Sequence, residues 1–171
     1  MLSGALGAIG AAAVAGCGST DAAVSTVAPP SPAGSLTPPG GTLGLGVVGL
    51  FVADLAASLV FYRRLGLAIP LQADTGSGAF RLSLPTGQIL FWETYAYTRR
   101  DFPDYRPAVG DRKVALEFGF ATPADLDATY QRLLRAGAPR YFPPTQWGNV
   151  RYAVMVDPDG NQVSLRHPLV S

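Results

Sequence analysis

The chain has 171 residues, enough for one domain with a buried core and a tail. A net charge of +1 excludes the basic footprint expected of a nucleic-acid-binding protein. A single cysteine, Cys17, excludes an internal disulfide framework and a cysteine-rich zinc site, and a single histidine, His167, restricts metal chemistry further.

Leu2 to Gly16 is an uncharged run of small and apolar residues. It is too short to span a bilayer, which takes roughly 20 apolar residues, and it has the length of a signal-peptide apolar region. No Lys or Arg precedes it, although signal peptides ordinarily carry one there. The run ends in Val14-Ala15-Gly16-Cys17, which resembles the lipobox of bacterial lipoproteins. The resemblance implies cleavage before Cys17 and a diacylglycerol on its sulfur. Residues 1–16 are thus expected to be a lipoprotein signal peptide. Gly18 to Gly41 is built from Ser, Thr, Ala, Pro and Gly, with Pro29-Pro30 and Pro38-Pro39. Such a composition buries too little apolar surface to offset the entropy of ordering, so residues 17–42 are expected to be a disordered tether.

The pattern changes at Leu43. Leu45–Val52 is a β-branched and apolar run that reads as a strand. Asp54 caps a helix whose stripe is Leu55, Leu59, Phe61-Tyr62 and Leu65, and Gly66 ends it. Strands are predicted at Ala68–Ala73, Gly78–Leu84 and Gln88–Thr94, with turns at Asp74-Thr75-Gly76 and Pro85-Thr86-Gly87. Tyr95 to Arg112 reads as a long polar and aromatic linker. A strand over Lys113–Ala121 leads to the capping box Thr122-Pro123-Ala124-Asp125 and a helix with Leu126, Tyr130, Leu133 and Leu134 on one stripe. Gly137 ends that helix. Strands follow at Pro139–Phe142, Asn149–Val156 and Gln162–Arg166, the last two joined by Asp157-Pro158-Asp159-Gly160, while Pro143 to Gly148 reads as a loop carrying Trp147.

The order β-α-β-β-β therefore occurs twice, over about 43–94 and 113–168. Ala53-Asp54-Leu55 matches Ala124-Asp125-Leu126, Arg64 and Gly66 match Arg135 and Gly137, and Pro85-Thr86-Gly87 matches Pro158-Asp159-Gly160. A repeat of a whole supersecondary unit is stronger evidence than any one element. Val52-Ala53-Asp54-Leu55 running into Ser58-Leu59-Val60-Phe61-Tyr62 and Leu65-Gly66-Leu67 is similar to the opening of vicinal-oxygen-chelate proteins. This superfamily includes the glyoxalases and bleomycin-resistance proteins. Asp157-Pro158-Asp159-Gly160-Asn161 is similar to its closing motif. The resemblance covers residues 43–168 and implies an α+β fold: two β-α-β-β-β modules form paired curved mixed sheets around one cavity, with helices outside. It does not fix a reaction, because the superfamily hosts lyases, epimerases, dioxygenases and drug-binding proteins.

In metal-dependent members, His or Glu enters the cavity from the first and last strand of each module. The resemblance places those positions near Val47, Phe91, Ala115 and Ser164. None is an imidazole, carboxylate or thiolate, so no metal and no other cofactor is expected there. His167 is expected to lie beyond the last strand, at the surface. No serine-nucleophile motif, phosphate loop or dinucleotide fingerprint is present.

Side chains two apart on a strand share a face. Two positions beyond the four just named stand Gly49, Glu93, Glu117 and Arg166. Leu116, Phe118 and Phe120 are apolar, so Glu117 is expected on the cavity face, and Arg81 alternates with Phe80 and Leu82 in the same way. Trp92 falls on the opposite face by parity. The candidate ligand-binding residues are Glu117, Glu93, Arg166, Arg81, Phe91, Trp147 and Tyr152. Phe142, Tyr95 and Tyr97 belong to the same aromatic set. The leading expectation is an extracytoplasmic, lipid-anchored module in the bacterial cell envelope that binds a small, partly aromatic molecule without metal, with enzymatic activity left open. One alternative is a lyase or isomerase with Glu117 or Glu93 as general base, or with an atypical metal site. Another is an interaction protein whose cavity its own side chains fill. The expected partners are a small-molecule ligand and the membrane, through the anchor, with no nucleic acid and with homodimerisation left open.

Overall fold

The computed structural model describes residues 45–110 and 113–169. Cys17, the expected signal peptide and the expected tether lie outside the described residues. Two mixed sheets and three helices make an α+β fold. The first module supplies β1 (Val47–Val52), α1 (Leu55–Leu65), β2 (Ala79–Ser83) and β3 (Ile89–Thr94). The connecting segment holds α2 (Tyr95–Asp101). The second module supplies β4 (Ala115–Gly119), α3 (Pro123–Arg135), β5 (Arg140–Trp147), β6 (Val150–Val156) and β7 (Gln162–Pro168). The sheet orders are β1-β3-β2 and β4-β7-β6-β5. In both, the first and last strands of the module pair in parallel, Val47 to Ile89 in one and Ala115 to Gln162 in the other. The remaining pairs are antiparallel. The sequence repeat is thus a repeat of connectivity.

Local chemistry sets the helix limits. The Asp54 carboxylate accepts from the Ala57 amide at 3.0 Å, and Gly66 closes α1 at φ 123 with its amide on the Arg63 and Tyr62 carbonyls. The Thr122 hydroxyl accepts from the Asp125 amide at 3.1 Å and donates to the Asp125 carboxylate at 2.6 Å, while Pro123 stands where no amide donor is needed.

α1 packs against α3, and both cover one face of the sheets. Leu50, Val52, Leu90 and Trp92 meet Leu55, Leu59 and Tyr62, and Ala153, Met155, Val163 and Leu165 meet Leu126, Tyr130 and Leu133, all in one buried cluster. Burial of a large apolar side chain contributes about 1.5–3 kcal/mol, so this face carries the fold. The Asp157–Asn161 turn ties the modules together. Asp159 accepts from the Ala53 amide at 2.7 Å and the Ser58 hydroxyl at 2.9 Å, and buried Asp157 accepts from the Tyr62 phenol at 2.9 Å. In return Arg132 of α3 donates to the Arg64 carbonyl at 2.7 Å, near the end of α1.

The structure corrects four sequence expectations. Ala68–Ala73 forms no strand, so the first sheet has three strands and the second four. Pro70 lacks an amide, and Arg63 donates to the Ile69 and Pro70 carbonyls at 3.0 and 2.6 Å, so the groups a ladder would use are missing or engaged. The linker begins with a helix, because Thr94 ends β3 and also caps α2, its hydroxyl accepting from the Tyr97 amide at 3.1 Å. β5 runs on through Pro143 and Pro144 to Trp147. It is an edge strand with register shifts at Phe142, where prolines cost no ladder bond. β7 extends to Pro168, so His167 lies within it. Its Nδ1 donates to the Phe120 carbonyl at 2.8 Å, since a carbonyl only accepts.

Candidate functional site

Each sheet has a second face, turned away from the helices. On the first it carries Val47, Gly49 and Phe51 of β1, Ile89, Phe91 and Glu93 of β3, and Ala79, Arg81 and Ser83 of β2, by the strand pairing. On the second it carries Ala115 and Glu117 of β4, Gln162, Ser164 and Arg166 of β7, and Tyr152 and Val154 of β6. The opposite positions, Leu50, Val52, Leu90, Trp92, Val163 and Leu165, are in the core. The strand register therefore puts Val47, Phe91, Ala115 and Ser164 on these two open faces, and Glu117, Glu93, Arg166 and Arg81 with them.

The positions to which the resemblance assigns a metal offer no donor set. Valine, phenylalanine and alanine have no lone pairs to give. The Ser164 hydroxyl, 3% exposed with the rest of its residue, is engaged with Tyr152 at 2.8 Å and Gln162 at 3.1 Å. Among the described residues no three His, Cys, Asp or Glu side chains gather into a cluster that could hold a metal ion. The residues present do not fit a divalent cation.

The first open face is partly overlaid by its own chain, with Val47 44% and Phe51 38% exposed. Without a Cβ at Gly49, the Phe91 ring lies directly over that backbone: an added Cβ would stand 2.2 Å from the ring. Arg81 sits over the Phe91 ring at 5.5 Å, and Phe51 meets its edge at 6.1 Å. Tyr105 of the linker then lies on Phe51 at 5.2 Å and near Tyr95 at 6.1 Å. Partial burial raises the Tyr105 phenol above its ordinary value, against the opposing pull of Arg99. Burial and then the Asp159 carboxylate raise that of Tyr95. The space left among Gly49, Phe51, Tyr95, Tyr105 and Pro107 is about 90 Å³.

The second open face stays accessible. A groove of about 450 Å³ runs between β5 and β6, walled by Tyr141, Phe142, Trp147 and Tyr152, with Val154, Gln162, Thr145 and Gln146 completing it. Trp147 meets Tyr152 edge to face at 5.7 Å, and Phe142 is tilted against Tyr152 at 6.3 Å. Trp147 ends β5 at a two-residue turn, Gly148-Asn149. Gly148 at φ 58 adopts the left-handed backbone that so tight a hairpin requires. The turn fixes the backbone while the indole stays 67% exposed.

Of the candidate residues, Trp147 and Tyr152 come together in this groove. Phe91 and Arg81 pack on the first open face, where Glu93 accepts from the Thr98 hydroxyl of α2 at 3.4 Å. Glu117 and Arg166 face each other at 3.7 Å with side chains 53% and 44% exposed. Glu117 lines a separate crevice of about 440 Å³ between the β1 and β4 edges, with Leu45, Leu84, Leu90 and Phe118 among its walls. The two glutamates thus lie on different sheets. Thr145 and Gln146 escaped the sequence reading because Pro143-Pro144 hid the part of β5 that carries them, and Tyr141 and Gln162 lay in predicted strands without being singled out. Parity with Ser164 was a usable signal for Gln162.

The model of the Glyoxalase/Bleomycin resistance protein/Dioxygenase superfamily matches residues 44–165. A glyoxalase/bleomycin resistance protein/dioxygenase from Nocardioides has a similar structure, with a TM-score of 0.59 and 24% identity over 75% of this chain and 85% of that one. A glyoxalase-related enzyme from Fulvimarina pelagi aligns with a TM-score of 0.60 and 22% identity over 74% and 88%. A lactoylglutathione lyase from Agrobacterium tumefaciens aligns with a TM-score of 0.53 and 23% identity over 72% and 92%. No curated protein matches by sequence. With its repeated modules, paired sheets and matched family model, the chain belongs to the glyoxalase/bleomycin resistance protein/dioxygenase superfamily.

Proposed function

We propose that the domain binds a small, partly aromatic molecule on the open face of its second sheet. The aromatic groove carries this reading. Its volume of about 450 Å³ lies within the range of small-molecule sites, about 300–1,000 Å³. Its rings offer faces and edges of opposite partial charge, on which a flat apolar ligand stacks. The space beside Tyr105 on the first open face, about 90 Å³, falls below that range of small-molecule sites. With no donor set at the positions to which the resemblance assigns a metal, binding is assigned to aromatic and amide side chains alone. We further propose that the domain works outside the cytoplasm of a bacterial cell, held to a membrane by lipid on Cys17. The apolar run Leu2–Gly16 and the Val14-Ala15-Gly16-Cys17 motif support this.

A thermal-shift screen of small aromatic compounds against the protein tests the reading. A ligand at a hundred times its dissociation constant stabilises the native state by about 2.7 kcal/mol, so a hit is expected as an upward shift in Tm. Trp147→Ala should abolish the shift without lowering the unliganded Tm, because the indole is mostly exposed. A screen without hits, or hits indifferent to Trp147→Ala, would remove the reading.

A further inference from the structure

We infer that the groove on the second sheet selects an electrically neutral ligand that donates a hydrogen bond through an amide or hydroxyl group. This rests on the binding reading above and adds the chemical class. All eight side chains that line the groove, Tyr141, Phe142, Thr145, Gln146, Trp147, Tyr152, Val154 and Gln162, are uncharged at neutral pH. A ligand charge placed among them gives up its hydration without gaining a counter-ion, which is expensive even when partly solvated.

The nearest ionised groups on this face do not change the sign. Arg166 is the strand partner of Tyr152, and Glu117 that of Ser164. The two face each other at 3.7 Å and together add no net charge. Arg151, the next cation along β6, is turned to the helix side, where Asp127 holds it at 2.8 and 3.0 Å. Along β6 and β7 the groove is therefore bordered by charges already matched to one another.

The polar groups inside it are also specified. Gln162 donates through Nε2 to Ser164 Oγ at 3.1 Å, and the Tyr152 phenol donates to the same oxygen at 2.8 Å. This shared acceptor fixes the Gln162 amide and leaves its Oε1 without a partner among the described residues. Gln146 is anchored likewise, its Nε2 donating to the Gly148 carbonyl at 3.3 Å. An amide oxygen beside aromatic walls takes an N–H or O–H from a ligand whose ring stacks on those walls.

Three molecules of one shape separate the possibilities by calorimetric titration of the full chain: 2-naphthamide, the anion 2-naphthoate and the cation 2-naphthylmethylammonium. 2-Naphthamide should bind at least about tenfold tighter than either ion, and its affinity should hold between low and high salt, since no screened ion pair is involved. Trp147→Ala should weaken it about tenfold or more. Gln146→Lys, at an exposed position, should reverse the order in favour of 2-naphthoate. An ion that binds wild type as tightly as the amide does, or binding that falls with salt, overturns the neutral class while leaving the groove as a binding site. Failure of all three to bind, or indifference to Trp147→Ala, overturns the groove reading itself. So does a dimer in light scattering that Trp147→Ala dissolves, because the groove is then occupied by a second copy.

Discussion

Tyr62 shows how one side chain joins two modules. Its ring is fully buried against Trp92 at 5.2 Å, and its phenol donates to Asp157, itself 2% exposed, at 2.9 Å. Burial first, and the Asp157 carboxylate second, hold the phenol well above its ordinary value of 10.0. The proton is present in folded and unfolded chains alike at neutral pH. Above about pH 10 the unfolded chain releases it first, so the group's contribution to stability declines as the solution becomes more alkaline. Tyr62→Phe removes one donor from Asp157, which keeps the Asn161 side chain at 3.0 Å and two amides. A loss of about 1–3 kcal/mol at pH 7 is expected. Urea midpoints measured from pH 8 to pH 11 should show the gap between wild type and variant narrowing above the ordinary tyrosine value.

Among the elements, the outer strand β5 and its unpaired counterpart in the first module are the most informative. In the second module β5 pairs with β6 and carries three of the groove's aromatic walls. Its counterpart in the first module, residues 68–73, is held by a side chain instead of a ladder. Arg63 grips the Ile69 and Pro70 carbonyls, and Ile69 remains 5% exposed, so this segment still packs without pairing. Arg63→Ala should cost about 1–3 kcal/mol, the range for hydrogen bonds to a charged donor, with partial exposure favouring the lower end. Hydrogen exchange should speed up over residues 67–73 and stay unchanged in β1 and β3. Uniform acceleration across the first sheet would instead mean that Arg63 holds the whole module. The caps of the two long helices and the alternation in β4 were legible in the sequence. Asp54, Thr122 and Pro123 act where their chemistry says they should, and alternation in β4 placed Glu117 on the face opposite Leu116 and Phe118. Thr94 gave the one ambiguous signal, because a residue that ends a strand can also cap a helix.

For the whole molecule, the two modules share a plan and differ in what happens to their open faces. Linker residues 105–108 lie on the first, and the second keeps its groove. The attachment proposed through Cys17 belongs to this scale as well. No helix among the described residues is long and apolar enough to cross a membrane. In a bacterial host, wild-type protein is expected in the membrane fraction with a mass increment on Cys17, and Cys17→Ala is expected in the soluble fraction or uncleaved. Several acyl chains anchor stably where one binds marginally. An unmodified Cys17 thiol in mature wild-type protein would end the proposal.

The sequence by itself determined the α+β class, the internal repeat, the two long helices with their caps and the face to which most strand residues belong. Those features follow from local rules, such as the spacing of apolar side chains, the chemistry of a cap and the conformational range of glycine. The absence of ligand-type residues at Val47, Phe91, Ala115 and Ser164 was equally legible, since it depends only on side-chain identity at counted positions. Where the groove forms was decided by tertiary structure alone. Nothing in the spacing of Phe51, Phe91 and Tyr105 says that a linker tyrosine settles on the first sheet, and nothing in Pro143-Pro144 says that an edge strand continues through them. Both outcomes rest on contacts between residues distant in the chain or on which neighbour a strand lacks. Those contacts laid a linker tyrosine on one sheet and gave the other a groove.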